Sequence, residues 1–298
     1  MPNTVVVTGA TGNVGRPLAE DLLSRGVAVR VVGRSAERLQ PLVDKGAEAV
    51  VGSVEDAPFV AEALAGAQAA FVMIPPHYTA PDLRGYQSQV ARGYAEALGR
   101  SKVSHAVTLS SVGADRATGT GPIAGLHDLE QQLNGVEGLN LVHLRAGYFM
   151  ENFLQSIGTI KSVGINGGPL KADVSMAMIA TRDIAAAAAE LLADPRFSGQ
   201  SARELLGPRE YTSEEATRIL GGAIGKADLS YVQFPDEETR KAMLGMGLSE
   251  SMVDAYLEMY GAFNSGAVRP LGGRGAENTT PTPMEDFGKV FAQAYQAS

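Results

Sequence analysis

Short, nearly unbroken apolar runs alternate with amphipathic stretches through the first half of the chain. Residues 5–8, 27–32, 47–51, 69–74, 103–110 and 139–144 each read as strands. The segments between several of them carry apolar residues at helical spacing, as in 17–23, 36–43 and 83–100. Strands that are apolar on both faces must be covered on both faces. The alternation therefore predicts an α/β fold with a doubly wound parallel Rossmann sheet. Within 83–100, Tyr86, Val90, Tyr94, Ala97 and Leu98 share one helical stripe and are expected in the core.

Beyond Tyr148 the regularity weakens. Ile165-Asn166-Gly167-Gly168-Pro169 reads as a turn, 183–192 as an alanine-rich helix returning to the sheet, and 204–206 as a further strand. Thr212 and Ser249 stand before helical stretches as N-cap residues, and a glycine- and proline-rich loop over 266–283 precedes a terminal helix over 284–295. The expected organisation is a Rossmann unit over 1–148 completed by 181–207. Residues 149–180 and 208–298 form a smaller, mainly helical unit over the carboxyl ends of the strands, where open parallel sheets bind ligands.

The first strand runs directly into Gly9-Ala10-Thr11-Gly12-Asn13-Val14-Gly15 and then into a helix. Gly9 permits a sharp turn, Gly12 a close approach of backbone to pyrophosphate, and Gly15 tight packing of the helix. Thr11, Asn13 and Val14 complete a phosphate cradle at a helix N-terminus, whose free amides and dipole favour an anion without a Lys or Arg. The second strand ends Val32-Gly33-Arg34-Ser35, with no Asp or Glu to hold both ribose hydroxyls. A guanidinium and a hydroxyl suit a 2′-phosphate, so NADP(H) is expected in preference to NAD(H). Arg34 could equally stack on adenine or lie on the helix surface. After the third strand, Ser53 fits an adenine pocket, although a helix N-cap explains Ser53 or Asp56 equally well.

Composition narrows the class. The 298 residues include no Cys, which excludes disulfides and a thiolate nucleophile, and the four His residues show no metal-ligand spacing, so no metal is expected. A net charge of −8 opposes direct nucleic-acid binding. No apolar run is long enough for a bilayer, and residues 1–4 lead into the first strand without a signal segment, so a cytoplasmic location is expected. A homodimer and a protein partner are both left open.

The usual short-chain dehydrogenase site places a Lys four residues after a Tyr general acid. No Tyr of this chain has that neighbour. Ser110 and Ser111 end the fifth strand, and His127 is the candidate that could replace the missing acid; bonding of His127 to a neighbour explains it as readily.

Taken together, the glycine pattern, Gly33-Arg34, Thr108-Leu109-Ser110-Ser111, the 127–130 segment and Leu144-Arg145-Ala146-Gly147-Tyr148-Phe149-Met150-Glu151-Asn152 resemble the NmrA-like, atypical branch of the short-chain dehydrogenase/reductases. Within it, Pro76-His77-Tyr78 and the helical last third are similar to triphenylmethane reductases and type 2 NAD(P)H quinone reductases. The chain departs from the family's common Arg-Pro-Gly at Ala146, and has Leu126 where many relatives carry Lys. The resemblance implies a nicotinamide site after strands four to six, with Ile74, Pro75, Ser110 and Ser111 on the cofactor. It implies a small aromatic or quinone-like substrate among His77, Tyr78, Tyr148, Phe149 and Asn152, with Ser110 and His127 as candidate catalytic residues. Met243, Met246, Met252, Met259 and Tyr256 are candidate contacts from the helical part, each with a core reading beside it. The implied activity is direct hydride transfer from NADPH. The regulatory relatives imply an alternative, a redox sensor that binds NADP(H) without chemistry and acts through a protein partner.

Overall fold

A computed structural model describes residues 4–298; the reading of residues 1–3 as a direct lead into the first strand lies outside them. The first half runs β1 (Thr4–Val7), α1 (Gly15–Ser24), β2 (Ala28–Gly33), α2 (Ala36–Val43), β3 (Glu48–Val51), α3 (Ala57–Leu64), β4 (Ala69–Val72), α4 (Leu83–Arg100), β5 (His105–Ser111), α5 (Pro122–Asn134) and β6 (Asn140–Ala146). Then come β7 (Tyr148–Phe149), a 3₁₀ turn over Met150–Ser156, α6 (Ile157–Val163), β8 (Asn166–Gly168), β9 (Met176–Ile179), α7 (Thr181–Ala193) and β10 (Gln200–Leu205). The chain finishes with β11 (Glu210–Tyr211), α8 (Ser213–Ala223), β12 (Tyr231–Gln233), α9 (Asp236–Gly245), α10 (Glu250–Asn264) and α11 (Met284–Ala297).

Seven strands form one parallel sheet in the order β10-β6-β5-β4-β1-β2-β3. From β1 the chain winds outward through β2 and β3, then crosses to β4 and winds the other way. The reversal between β1 and β4 opens a crevice at the carboxyl ends of those strands, the usual ligand position in such sheets. Val5 and Val7 pack with α1 and α7 on one face, and Val6 packs with α3 and α4 on the other. This is why the strands are apolar at successive positions rather than at alternate ones.

A third buried cluster joins β9 and the 3₁₀ turn to α8, α10 and α11, through Met150, Phe153, Met178, Tyr211, Leu220, Phe263 and Phe287. Glu151 fastens it to the main sheet. Its carboxylate accepts from the Thr181 amide at 3.0 and 3.1 Å and from the Thr181 hydroxyl at 2.6 Å, capping α7, which has no side-chain cap of its own. Two residues on, buried Asp183 accepts from the Thr282 amide at 2.9 Å and hydroxyl at 2.6 Å, which ties the 266–283 loop to the same helix end.

Five helices start on the side chains their sequences offer: Ser35, Asp56, Asp82, Thr212 and Ser249 each accept from the amide three residues on. One expectation fails. The segment read as a turn at 165–169 contains β8, which pairs with β12, and its Gly167 lies where a Cβ would fall 2.4 Å from the Phe234 ring. The glycine is there for contact, not reversal.

His143 is buried in β6. Its Nδ1 accepts from the Thr108 hydroxyl at 2.8 Å and its Nε2 faces Asn134 Oδ1 at 3.0 Å, an arrangement suited to the neutral ring. Burial lowers its pKa from the ordinary 6.5. The unfolded chain therefore binds the proton more readily, so stability is lost as pH falls through and below about 6.5. Urea denaturation midpoints are expected to fall between about pH 7.5 and 5.5, and the slope to flatten in His143→Gln; an unchanged slope would refute the assignment.

Candidate active site

The turn after β1 shows what its glycines do. Gly9 has φ +63°, a left-handed conformation that side chains rarely adopt. A Cβ on Gly15 would lie 2.3 Å from the Gly9 carbonyl oxygen, so the start of α1 can sit against the turn only if that residue is glycine. The Gly12 amide donates to Gly9 at 2.9 Å and the Arg16 amide to Gly12 at 3.1 Å. Among the described residues, the amides of Asn13, Val14 and Gly15 find no backbone partner, and α1 has neither a side-chain cap nor an acid in its first turn. Such an uncapped helix end fits a pyrophosphate.

Beside it the end of β2 meets the turn. The Ala10 amide donates to Val32 at 3.3 Å, and a Cβ on Gly33 would lie 3.5 Å from the Thr11 methyl. Arg34 is exposed and has no ion-pair partner among the described residues. The Ser35 hydroxyl caps α2 by accepting from the Arg38 amide at 3.3 Å, and Ser53 accepts from the Glu55 amide at 3.3 Å. Arg38 turns back to donate to the Thr11 carbonyl at 3.3 Å, which puts its guanidinium at the cradle. Underneath, the fully buried Tyr94 hydroxyl donates to Met73 at 3.0 Å and lies 3.2 Å from Thr8 Oγ1, joining the ends of β1 and β4. Tyr94 is core, as its position in the stripe predicts.

A cleft of about 770 Å³ opens from the ends of β4, β5 and β6 toward α10. Ile74, Pro75 and Pro76 line it after β4, Ser110 and Ser111 at the end of β5, and Tyr148, Phe149 and Asn152 after β6. Tyr86, expected in the core, lines it too, its hydroxyl donating to the Pro75 carbonyl at 2.9 Å. From α10 come Met252, Tyr256 and Met259, whereas Met243 and the exposed Met246 stay outside. The volume falls within the range of drug-sized sites, and the wall is mainly apolar.

Three sequence candidates lie off this wall. The His127 Nδ1 is 2.8 Å from the Ala114 carbonyl, and its neighbour Leu126 faces the cleft instead. His77 packs edge-on against Tyr86 with centroids 4.9 Å apart, and Tyr78 is exposed. Beneath the wall lies a network the strand pattern gave no sign of. Glu130, 1% exposed, accepts from the Ser110 hydroxyl at 2.6 Å and from Arg145 Nε and Nη2 at 3.0 and 2.6 Å. The only sequence signal for it was the presence of Glu130 and Arg145 in two of the motif segments.

The titratable groups on the cleft wall, among the described residues, are Tyr86, Tyr148, Tyr256, Glu210 and Arg269. Burial first, then the Glu55 carboxylate, pushes Tyr86 up to about 12 against an opposing pull from Arg34. Burial likewise raises Tyr148 and Tyr256 above the ordinary phenol value, partly offset at Tyr148 by a hydrogen bond with Asn152. These phenols are weaker acids than free tyrosine, the reverse of what a Tyr–Lys pair achieves. No group of three or more His, Asp or Glu among the described residues could hold a metal, and none of their helices is long and apolar enough to cross a membrane.

The strand order, the reversal beside β1 and the glycine turn define a Rossmann-type nucleotide-binding fold. The chain belongs to the NmrA-like family, whose model matches residues 1–287. It is 28% identical to an NAD(P)H azoreductase of Xenophilus azovorans over 256 residues, 86% of each chain. Its fold matches an NADPH-dependent quinone oxidoreductase from Escherichia coli, solved with NADPH, with TM-score 0.80 and 21% identity over 96% of this chain and 99% of the other. It also matches the triphenylmethane reductase of Citrobacter sp., with TM-score 0.77 and 19% identity over 98% and 99%.

Removing the Glu130 carboxylate leaves the Arg145 charge, only 14% exposed at its side chain, without its partner. Glu130→Ala is expected to cost about 3 kcal/mol of unfolding free energy, and a loss below about 1 kcal/mol in denaturant titration would show that the pair is not a structural anchor.

Proposed function

We propose that the protein is an NADPH-dependent oxidoreductase that passes hydride directly to a flat, electron-poor, quinone- or dye-like acceptor. The observation that carries this reading is the cleft itself. It is mainly apolar, it begins beside the reversal of strand order, and the phenols on its wall among the described residues are held as weak acids. A site so built suits an acceptor whose reduction needs no strong protein acid. When bound, the cofactor supplies a hydride, which a quinone takes with one proton from solvent to become a hydroquinone. The relatives that act on azo compounds, quinones and triphenylmethane dyes support the same class.

In this reading Gly9, Thr11, Gly12, Asn13, Val14 and Gly15 hold the pyrophosphate, and Arg34 with Arg38 and Ser35 holds the 2′-phosphate. Ile74, Pro75, Ser110 and Ser111 position the nicotinamide, and Tyr148, Phe149 and Asn152 face the acceptor. Residues 1–148 with 181–207 act as the cofactor unit, and 149–180 with 208–298 as the acceptor unit. Orientation in a dry cleft supplies most of the rate. The roomy apolar space favours turnover over a sensor that binds NADP(H) without chemistry.

Two measurements test the reading. NADPH oxidation followed with a panel of quinones and triphenylmethane dyes is expected to show acceptor-dependent turnover; no rate above background with any of them overturns the proposal. In fluorescence titrations, Arg34→Ala is expected to weaken NADPH binding by about tenfold, the loss of one charge-assisted hydrogen-bonded contact, and NADH binding little. Equal losses for the two cofactors would remove Arg34 from the 2′-phosphate site.

A further inference from the structure

The cleft wall carries a single cation among the described residues, Arg269, and its surroundings point to a use for it. The backbone on either side is fixed. Val268 is 5% exposed, its amide donates to Ala262 at 3.1 Å, and it packs at 3.1 Å from where a Cβ on Gly113 would lie. Gly113 has φ +92°, so a side chain there is excluded both by conformation and by Val268. On the other side, the Leu271 and Gly272 amides donate to the Glu204 carboxylate at 2.8 and 3.2 Å, and Arg274 donates to the Gly207 carbonyl.

The polar groups nearest in the wall are already engaged. Asn264 accepts from the Lys171 amide at 2.8 Å and donates to the Pro169 carbonyl at 3.0 Å, Ser265 donates to Ala262 at 3.2 Å, and Ser175 donates to Glu210 at 2.9 Å. The Arg269 guanidinium, by contrast, has no ion-pair or hydrogen-bond partner among the described residues. Its five donors are free at the edge of an apolar cleft.

The position also separates Arg269 from the cofactor phosphates. Val268 packs against Gly113 on the loop after β5, two strands from β1, and Glu204 sits on β10, four strands from β1. At about 4.8 Å per strand the anchors lie roughly 10 and 19 Å from the strand that leads into the glycine turn.

From this geometry we infer that Arg269 is a specificity-determining residue, which selects acceptors carrying an oxyanion on the edge remote from the hydride-accepting atoms. The acceptor class is a planar aromatic body with a carboxylate, sulfonate or phosphate group. A planar guanidinium binds any of these in bidentate fashion, and exposed Arg269 offers that contact at the rim of the cleft, beside its apolar wall. The inference rests on the reductase reading for the chemistry but not for the binding.

Two assays separate the inference from that reading. Calorimetric titration of the NADP⁺-loaded protein with naphthalene sulfonate and with naphthol compares a charged and an uncharged ring of equal size without any turnover. The preference for the sulfonate is expected to fall by about tenfold in Arg269→Ala and to be partly kept in Arg269→Lys. A sulfonate-to-naphthol ratio that is the same in Arg269→Ala and in the unaltered protein overturns the inference. Kinetics with a sulfonated naphthoquinone and its unsulfonated parent form the second assay. The change in selectivity is expected in KM and not in kcat, since the contact is made far from the reacting atoms; a change confined to kcat also overturns the inference. Absence of turnover with both quinones would fell the reductase reading and leave the calorimetric result to decide the role of Arg269.

Discussion

A carboxylate that is 1% exposed needs hydrogen-bond donors to offset the loss of water, and Glu130 has three of them. Its donors come from Ser110 at the end of β5 and Arg145 near the end of β6, while Glu130 itself is on α5. The network thus locks two adjacent strand ends and the helix between them into one relative position. Everything on that side of the cleft is referred to this position: Ser111, Ala146 and Gly147 follow directly in the chain. A Cβ on Gly147 would come 2.4 Å from the Ala177 carbonyl, so the short sheet of β7, β9 and β11 is seated against the same point. A charge network here costs more desolvation than an apolar contact, but it tolerates much less positional slack.

The other side of the cleft is fixed by a different device. Tyr94, Thr8 and Met73 tie β4 to β1 beneath the glycine turn with neutral hydrogen bonds. Glu151 and Asp183 at the N-terminus of α7 then attach the 3₁₀ turn and the 266–283 loop to the main sheet. α10 is pinned where the Ser249 hydroxyl and amide reach Ala80 and Tyr78 and where Ser251 accepts from the Leu83 amide at 3.0 Å. The cleft is therefore bounded by elements whose positions are each set by a specific polar contact, with the apolar wall filling between them.

The first half of the fold was legible in the sequence because buried parallel strands must be apolar at consecutive positions, and the glycine turn because its backbone geometry admits no other residue at Gly9 or Gly15. Helix starts at Thr212 and Ser249 were legible because capping is local chemistry. The second half was not, for two reasons. β7, β9 and β11 are two to four residues long, too short for a period to show. In β8, Gly167, required for packing against Phe234, looks like a turn residue. The site divides along the same line. Contacts within a motif could be anticipated, whereas the Ser110–Glu130–Arg145 network, the return of Arg38 to Thr11 and the facing of Tyr86 into the cleft depend on separations that only the folded chain closes. His127 illustrates the converse, since a residue of the right chemical type in the right segment is turned toward Ala114 by the helix phase, with Leu126 taking the inward position.

One hydroxyl proton has a consequence for what the cleft can recognise. Ser110 owns a single hydrogen, and Glu130 has taken it. What remains at the floor of the cleft is a pair of lone pairs, so any ligand atom that meets Ser110 Oγ has to bring its own hydrogen. An amide nitrogen satisfies that requirement and a carboxylate oxygen does not. The polarity of this contact is thus written from beneath, by an arginine and a glutamate that do not line the cleft.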